Sequence, residues 1–139
     1  LTIIGVDVHG TIDANPEFFE PYLRLMTKMG HILFIISGPP KDQIVEELEQ
    51  LEIMQGVHYS TIISVVDYLR NCGEKMWQDE KQTWWCKDEV WWASKARICA
   101  EFGLTHMIDD KIEYLPEFKK IGTIFILWEG TDASTANKS

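Results

Sequence analysis

Five short apolar runs punctuate this chain, at residues 2–8, 31–36, 61–65, 105–108 and 123–128, and segments of helical period separate them. A near-continuous apolar run fits a strand covered on both faces, the situation found in parallel sheets. Alternation of such runs with helices predicts a sheet of five parallel strands, joined by right-handed crossovers and flanked by helices on both faces. The expected class is therefore α/β, with a Rossmann-like three-layer α/β/α core. In open parallel sheets, sites form beyond the carboxyl ends of the strands, near the point where strand order reverses. The chemistry is expected just after Val6, Ile36, Val65 and Ile108.

The helical segments carry ordinary start and stop signals. Pro16 opens the first, with Phe18, Phe19, Tyr22, Leu23 and Met26 at helical spacing, Pro21 predicting a disturbed beginning and Gly30 a stop. Pro39, Pro40 and Asp42 open a second, which carries Ile44, Val45, Leu48 and Leu51 on one face. A short helix through Asp67, Tyr68 and Leu69 follows the third strand. Ser94 reads as an N-cap, residues 95–102 as a helix and Gly103 as its stop; a last helix is expected over 112–120. Residues 74–93 break the pattern: Trp77, Trp84, Trp85, Trp91 and Trp92 are interleaved with charges and have no clean period. The bland reading of these tryptophans is a satellite core over the sheet edge. The sharper one is an aromatic wall beside the site, able to stack a flat group. Residues 1–129 are expected to form one domain, and 130–139 a frayed tail.

Charge narrows the partners. The formal net charge of -9 disfavours nucleic-acid backbones and anionic membrane surfaces. It leaves room for a small phosphorylated molecule, because local dipoles and a metal outweigh global charge. No apolar stretch reaches the ~20 residues needed to span a bilayer. The three cysteines (Cys72, Cys86 and Cys99) lack metal-ligand spacing and fit reduced thiols in the cytoplasm.

The residues at the predicted strand ends are Asp7 and His9, then Ser37 and Gly38, then Asp109 and Asp110. Lys95 joins them from the helix that precedes the fourth strand. Carboxylates from two strands can share a hard divalent cation such as Mg2+. The Ser37 hydroxyl and the Lys95 ammonium can hold phosphoryl oxygens. Asp7 can then attack phosphorus to give an aspartyl-phosphate, which water hydrolyses with help from an acid/base group. Each residue also has a plainer reading. Asp7 could open a turn, Ser37-Gly38 could be a strand-to-helix connection, and Asp109 could cap a helix. Lys87 rivals Lys95. If one helix ran from position 87 to 102, Lys87 would occupy its first turn, with Lys95 ~12 Å further along the axis. His31, His58 and His106 read as structural or surface groups.

Taken in order, these residues resemble the haloacid dehalogenase-like phosphohydrolases. Asp7-Val8-His9-Gly10-Thr11 is similar to the first motif of that family, "ILFIISG" ending at Ser37-Gly38 to the second, and Lys95 with "HMIDD" at Asp109 and Asp110 to the third and fourth. The stretch "SKARICAEFGLTHMIDD" looks like small phage and bacterial members related to deoxyribonucleotidases. The resemblance implies strand order 3-2-1-4-5, with a short tryptophan-rich insert in place of a cap domain. It implies Asp7 as nucleophile and metal ligand, the backbone carbonyl of His9, Asp109 and Asp110 around Mg2+, and Ser37, Gly38 and Lys95 around phosphate. Members of the family usually carry aspartate where this chain has His9. Histidine therefore either replaces the acid/base or marks a weak or inactive member that holds a partner through its tryptophans. An open site of this kind takes bulky substrates or is closed by a second subunit of a homo-oligomer, and a nucleoside monophosphate is the substrate class to try first. A receiver-type or flavodoxin-like domain is the remaining alternative, disfavoured because the acidic pair follows the fourth strand here.

Overall fold

The computed structural model describes residues 1–130. Five strands form one parallel sheet: β1 (Ile3–Val6), β2 (Ile32–Ser37), β3 (Thr61–Ser64), β6 (His106–Asp109) and β7 (Ile124–Leu127). Two further short strands, β4 (Trp77–Gln78) and β5 (Trp84–Trp85), pair antiparallel as a separate hairpin. The sheet order is β3-β2-β1-β6-β7, the predicted 3-2-1-4-5 once the hairpin strands are numbered. This differs from the flavodoxin-like order 2-1-3-4-5. The tail expected over 130–139 lies, beyond Gly130, outside the described residues. Among the described residues no helix is long and apolar enough to cross a membrane.

The central strands β1, β2 and β6 are largely buried on both sides, while Ile124, Ile126 and Leu127 of edge strand β7 stay exposed, and the strand side chains divide alternately between two cores. On one face α1 (Pro16–Lys28) and α2 (Lys41–Gln50) lay Phe19, Leu23, Ile44 and Leu48 against Ile4, Val6, Leu33, Ile35 and Ile108. On the other, α3 (Val65–Asn71), α4 (Asp88–Phe102) and α5 (Leu115–Phe118) pack Leu69, Ile98, Cys99 and Phe118 around Ile36 and Met107. The three-layer arrangement follows from these two apolar faces.

Several boundaries differ from those the sequence predicts. Pro21 sits inside α1 without disturbing its start. One missing N–H is outweighed by Phe19 and Leu23, both fully buried. The last predicted helix shrinks to a 3-10 turn, Ile112–Tyr114, and the single turn of α5. Ser94 is not an N-cap: its hydroxyl donates to the Trp91 carbonyl at 2.6 Å, inside a helix that begins at Asp88. The insert becomes the β4-β5 hairpin followed by the first two turns of α4.

The centre of the sheet is tight at Gly5. A Cβ there would lie 2.7 Å from Leu104 Cδ2 and Met107 Sδ, and 3.0 Å from Ile36 Cδ1. Overpacking of this kind typically costs about 1–3 kcal/mol. Gly5→Ala should lower the unfolding free energy measured in urea by that amount, and an unchanged value would mean that the α4-side core is looser than this packing requires.

Candidate active site

Strand register brings the acidic groups together. Val6 of β1 pairs with Ile108 of β6, and the Asp7 N–H donates to the Ile108 carbonyl at 3.0 Å. Asp7 and Asp109 therefore leave neighbouring parallel strands at the same level, on the edge where a site is expected. Asp110 follows, and ligand oxygens of Asp7, Asp109 and Asp110 all lie within 4.8 Å of one another. Gly10 makes room for this approach. It has φ +81°, and a Cβ on it would stand 2.1 Å from Asp110 Oδ2. Only glycine meets both the backbone conformation and the contact.

Lys95 reaches the same point from the other layer. Its Nζ donates to Asp7 Oδ1 at 2.9 Å and to Asp109 Oδ2 at 2.5 Å. All three side chains are buried, Asp109 completely. The Tyr114 ring lies 4.8 Å from the ammonium. The long helix considered for Lys87 does exist, since α4 starts at Asp88 with Lys87 as its cap residue. It does not carry Lys95 away from the site. The first two turns of α4 overhang the sheet edge, so a residue roughly 10 Å along the axis is level with the strand ends. Lys87 is exposed at the far tip.

Burial raises the Asp7 carboxyl to about 6 against the lowering pull of Lys95, and Asp109 and Asp110 add to the rise. Burial opposes the charge on Lys95, yet Asp7 and Asp109 outweigh it and hold its pKa above the usual lysine value. Asp110 is raised by burial, then by Asp109. Three carboxylates thus face one ammonium, an imbalance that a hard cation would correct. Asp110 Oδ1 is buried without a hydrogen-bond partner, which also fits a cation held by Asp7, Asp109 and Asp110.

Ser37 ends β2, fully buried, and its hydroxyl has no partner. The Thr11 hydroxyl is likewise buried and unpartnered. Thr11 closes the motif-like run that follows β1, and the sequence by itself assigns it no role. Orphaned buried hydroxyls at a strand edge are poised for an anionic ligand. His9 stands apart from the carboxylates. Its ring is half exposed and Nε2 pairs with Glu47 of α2, so the side chain is not part of the cation cluster. Any ligand role at position 9 falls to the backbone carbonyl, as the family resemblance implies. Glu47 is not legible from the sequence, because nothing in the run Glu46-Glu47-Leu48-Glu49 distinguishes one acid from the next. The other histidines are structural or peripheral: buried His58 bridges Glu20 and the Met54 N–H, and His106 bonds Thr105.

A cleft of about 590 Å3 is lined by His9, Gly38, Pro39 and Pro40 on the sheet side, and by residues of the hairpin and α4 that include Trp84, Trp85, Trp91 and Trp92. The residues that line it do not include Asp7, Asp109 or Asp110. Trp77 and Trp85 are about half exposed. Trp91 and Trp92 also pack on the core beneath, so the satellite-core and aromatic-wall readings both describe part of the segment.

No protein-family model matches the sequence, and no curated protein matches it. A solved structure of an uncharacterized protein from Corynebacterium glutamicum ATCC 13032 Kitasato is similar, at a TM-score of 0.57 and 16% identity, over 98% of this chain and 90% of that one. A likeness at that identity is one of fold.

The electrostatics give a pH signature in metal-free buffer. A raised carboxyl pKa means that the folded state binds its proton more tightly than the unfolded chain, so Asp7 contributes less stability as pH rises from about 4 to about 6. Asp7→Asn removes that dependence. The melting temperature of the variant should climb relative to wild type as pH rises from about 4 to 7. A difference that is flat with pH would show that Asp7 stays ionised in the absence of cation.

Proposed function

We propose that this protein is a Mg2+-dependent phosphomonoester hydrolase that works through an aspartyl-phosphate on Asp7. The observation that carries the reading is the convergence of Asp7, Asp109, Asp110 and Lys95 at one edge of the sheet, with the unpartnered Ser37 hydroxyl on the neighbouring strand. The four motif resemblances add to it.

Mg2+ held by Asp7, Asp109 and Asp110 would supply positive charge to the phosphoryl oxygens. The other roles belong to the chain. Lys95 neutralises Asp7 and the incoming phosphate together, and Ser37 donates to a phosphoryl oxygen. An oxygen of Asp7 forms the new bond to phosphorus as the bond to the departing alcohol breaks. His9 protonates the departing oxygen, then takes a proton from the water that releases phosphate and restores the Asp7 carboxylate. Glu47 fixes the His9 ring through Nε2 and leaves Nδ1 for that traffic.

The placement of the His9 ring at the cleft lip, away from the carboxylates, favours a second reading: a core of this type that binds a phosphorylated ligand with little or no turnover. The two readings separate in one assay. With p-nitrophenyl phosphate, wild-type protein should turn over only when Mg2+ is added. Asp7→Asn should fall to background, and Lys95→Met should lose about 10²–10³ in kcat. No turnover across a panel of phosphate esters, with Mg2+ still raising the melting temperature, would replace the hydrolase with the binding protein.

The role of His9 has its own test. His9→Gln should lower kcat by about 10²–10⁴. A variant that keeps the rate would take the acid/base function away from this residue.

A further inference from the structure

We propose that two copies of this chain meet through the apolar step formed by α1 and β7, with α1 of each copy covering the open face of β7 in the other. Nothing in this contact depends on the hydrolase reading. β7 ends the sheet and pairs only with β6. Phe125 packs on Phe118 in the α4-side core, so strand alternation turns Ile124, Ile126 and Trp128 to the α1 side. Trp128 is covered there by Phe18 and Phe19, with ring centres 5.0 and 4.7 Å away. The two isoleucines are not covered: Ile124 is 57% exposed and Ile126 40%.

α1 borders this open face with a second apolar row. Phe19 and Leu23 fill the core, and Glu20, on one flank, bonds His58. The other flank carries Phe18, Tyr22 and Leu25, and Met29 continues the row at the helix end with helical spacing. Phe18 stacks on Tyr22 and contacts Trp128, which joins the row to the β7 face. Leu25 and Met29 are more than half exposed, and Phe18 nearly so. The row and the strand are both free of charge, since Glu17, Glu20, Arg24 and Lys28 fall elsewhere on α1. Edge strands that stay in water usually carry a charge or a proline, and Ile124–Leu127 has neither.

A ridge beside an open face is self-complementary about a two-fold axis, because each copy supplies the ridge that the other lacks. The lengths agree: the 13 residues of α1 span about 20 Å, and β7 with Trp128 about 17 Å. The exposed parts of Phe18, Leu25, Met29, Ile124 and Ile126 present roughly 500 Å2 of apolar surface, toward the upper end of what a monomer leaves open. Two copies would bury about 1,000 Å2 there before any rim is counted, the size at which specific interfaces begin. The net charge of -9 repels copies over most of the surface, and the uncharged step lets them approach without opposing like charges. Residues 131–139 hold no apolar side chain larger than alanine, so they offer little to cover the step. The same net charge, and a strand edge with unpaired backbone groups, oppose a lipid surface.

Sedimentation velocity of the full chain, run from micromolar to millimolar concentration, reads the contact directly. Wild-type protein should pass from the mass of one chain to that of two within this range. Leu25→Glu on the ridge and Ile124→Lys on the open face should each weaken association about tenfold or more, with an unchanged far-ultraviolet circular dichroism spectrum. Both residues are exposed, so neither substitution empties the core. Met29→Glu takes the place of Ile124→Lys if that variant fails to fold. Met54→Glu, an equally exposed position in the loop before β3 at the opposite edge of the sheet, should leave association unchanged. A wild-type monomer throughout, a dimer that survives both step substitutions, or equal weakening by Met54→Glu overturns the interface. A monomer that pairs only after residues 131–139 are removed overturns it in favour of that segment as the cover. A monomer that floats with zwitterionic lipid vesicles, and ceases to in Leu25→Glu, overturns it in favour of a lipid surface.

Discussion

One buried ammonium ties the two halves of this molecule together. Lys95 Nζ bonds both Asp7 and Asp109, and in doing so fastens α4 to the carboxyl ends of β1 and β6. A charge so deeply buried is tolerated only with partners, and breaking such an arrangement from one side leaves a bare ion inside the protein. The arrangement is nevertheless unbalanced, since Asp110 adds a third carboxylate to the group. Stability alone would not select that excess. Clustered like charges are costly to a fold and useful to a site that takes a cation or an anionic ligand.

The position of α4 follows from the same contact. Lys95 must be level with the strand ends, so the seven helical residues before it have nowhere to go except past the edge of the sheet. That overhang turns a crossover helix into one wall of a cleft. Trp91, one helical turn ahead of Lys95, closes over Gly38, and Trp92 closes against Tyr114. The hairpin supplies the facing side, stiffened by the Asp79 carboxylate. A segment too short to fold as a separate cap thereby builds an aromatic surface, because it borrows rigidity from the core beneath it.

His9 shows how a local departure is absorbed. Its ring turns out from the carboxylates to Glu47, a residue of α2 thirty-eight positions away. The two orphaned hydroxyls of Thr11 and Ser37 remain on the inner side. The carboxylate cluster with Lys95, the two hydroxyls and the His9–Glu47 pair are thus separate groups around one strand edge.

The strands of the sheet were legible from the sequence because parallel strands buried on two faces leave unbroken apolar runs, a local property, whereas their order came only with the family resemblance. Asp7, Ser37, Asp109 and Asp110 were legible for a related reason: each follows such a run directly, and register between adjacent strands then brings Asp7 and Asp109 level. Lys95 was found by spacing, although the helix that carries it starts seven residues earlier than Ser94 had indicated. That helix could not be bounded locally, since Ser94 serves equally as a cap or, as here, as a hydroxyl bonded back to Trp91. The His9–Glu47 pair, the unpartnered state of the Thr11 hydroxyl and the partners that pin the tryptophans belong to the tertiary structure alone. One acid among several on a helix face is selected by what lies opposite it, and an indole becomes a wall or a filler according to which side of it the fold leaves open.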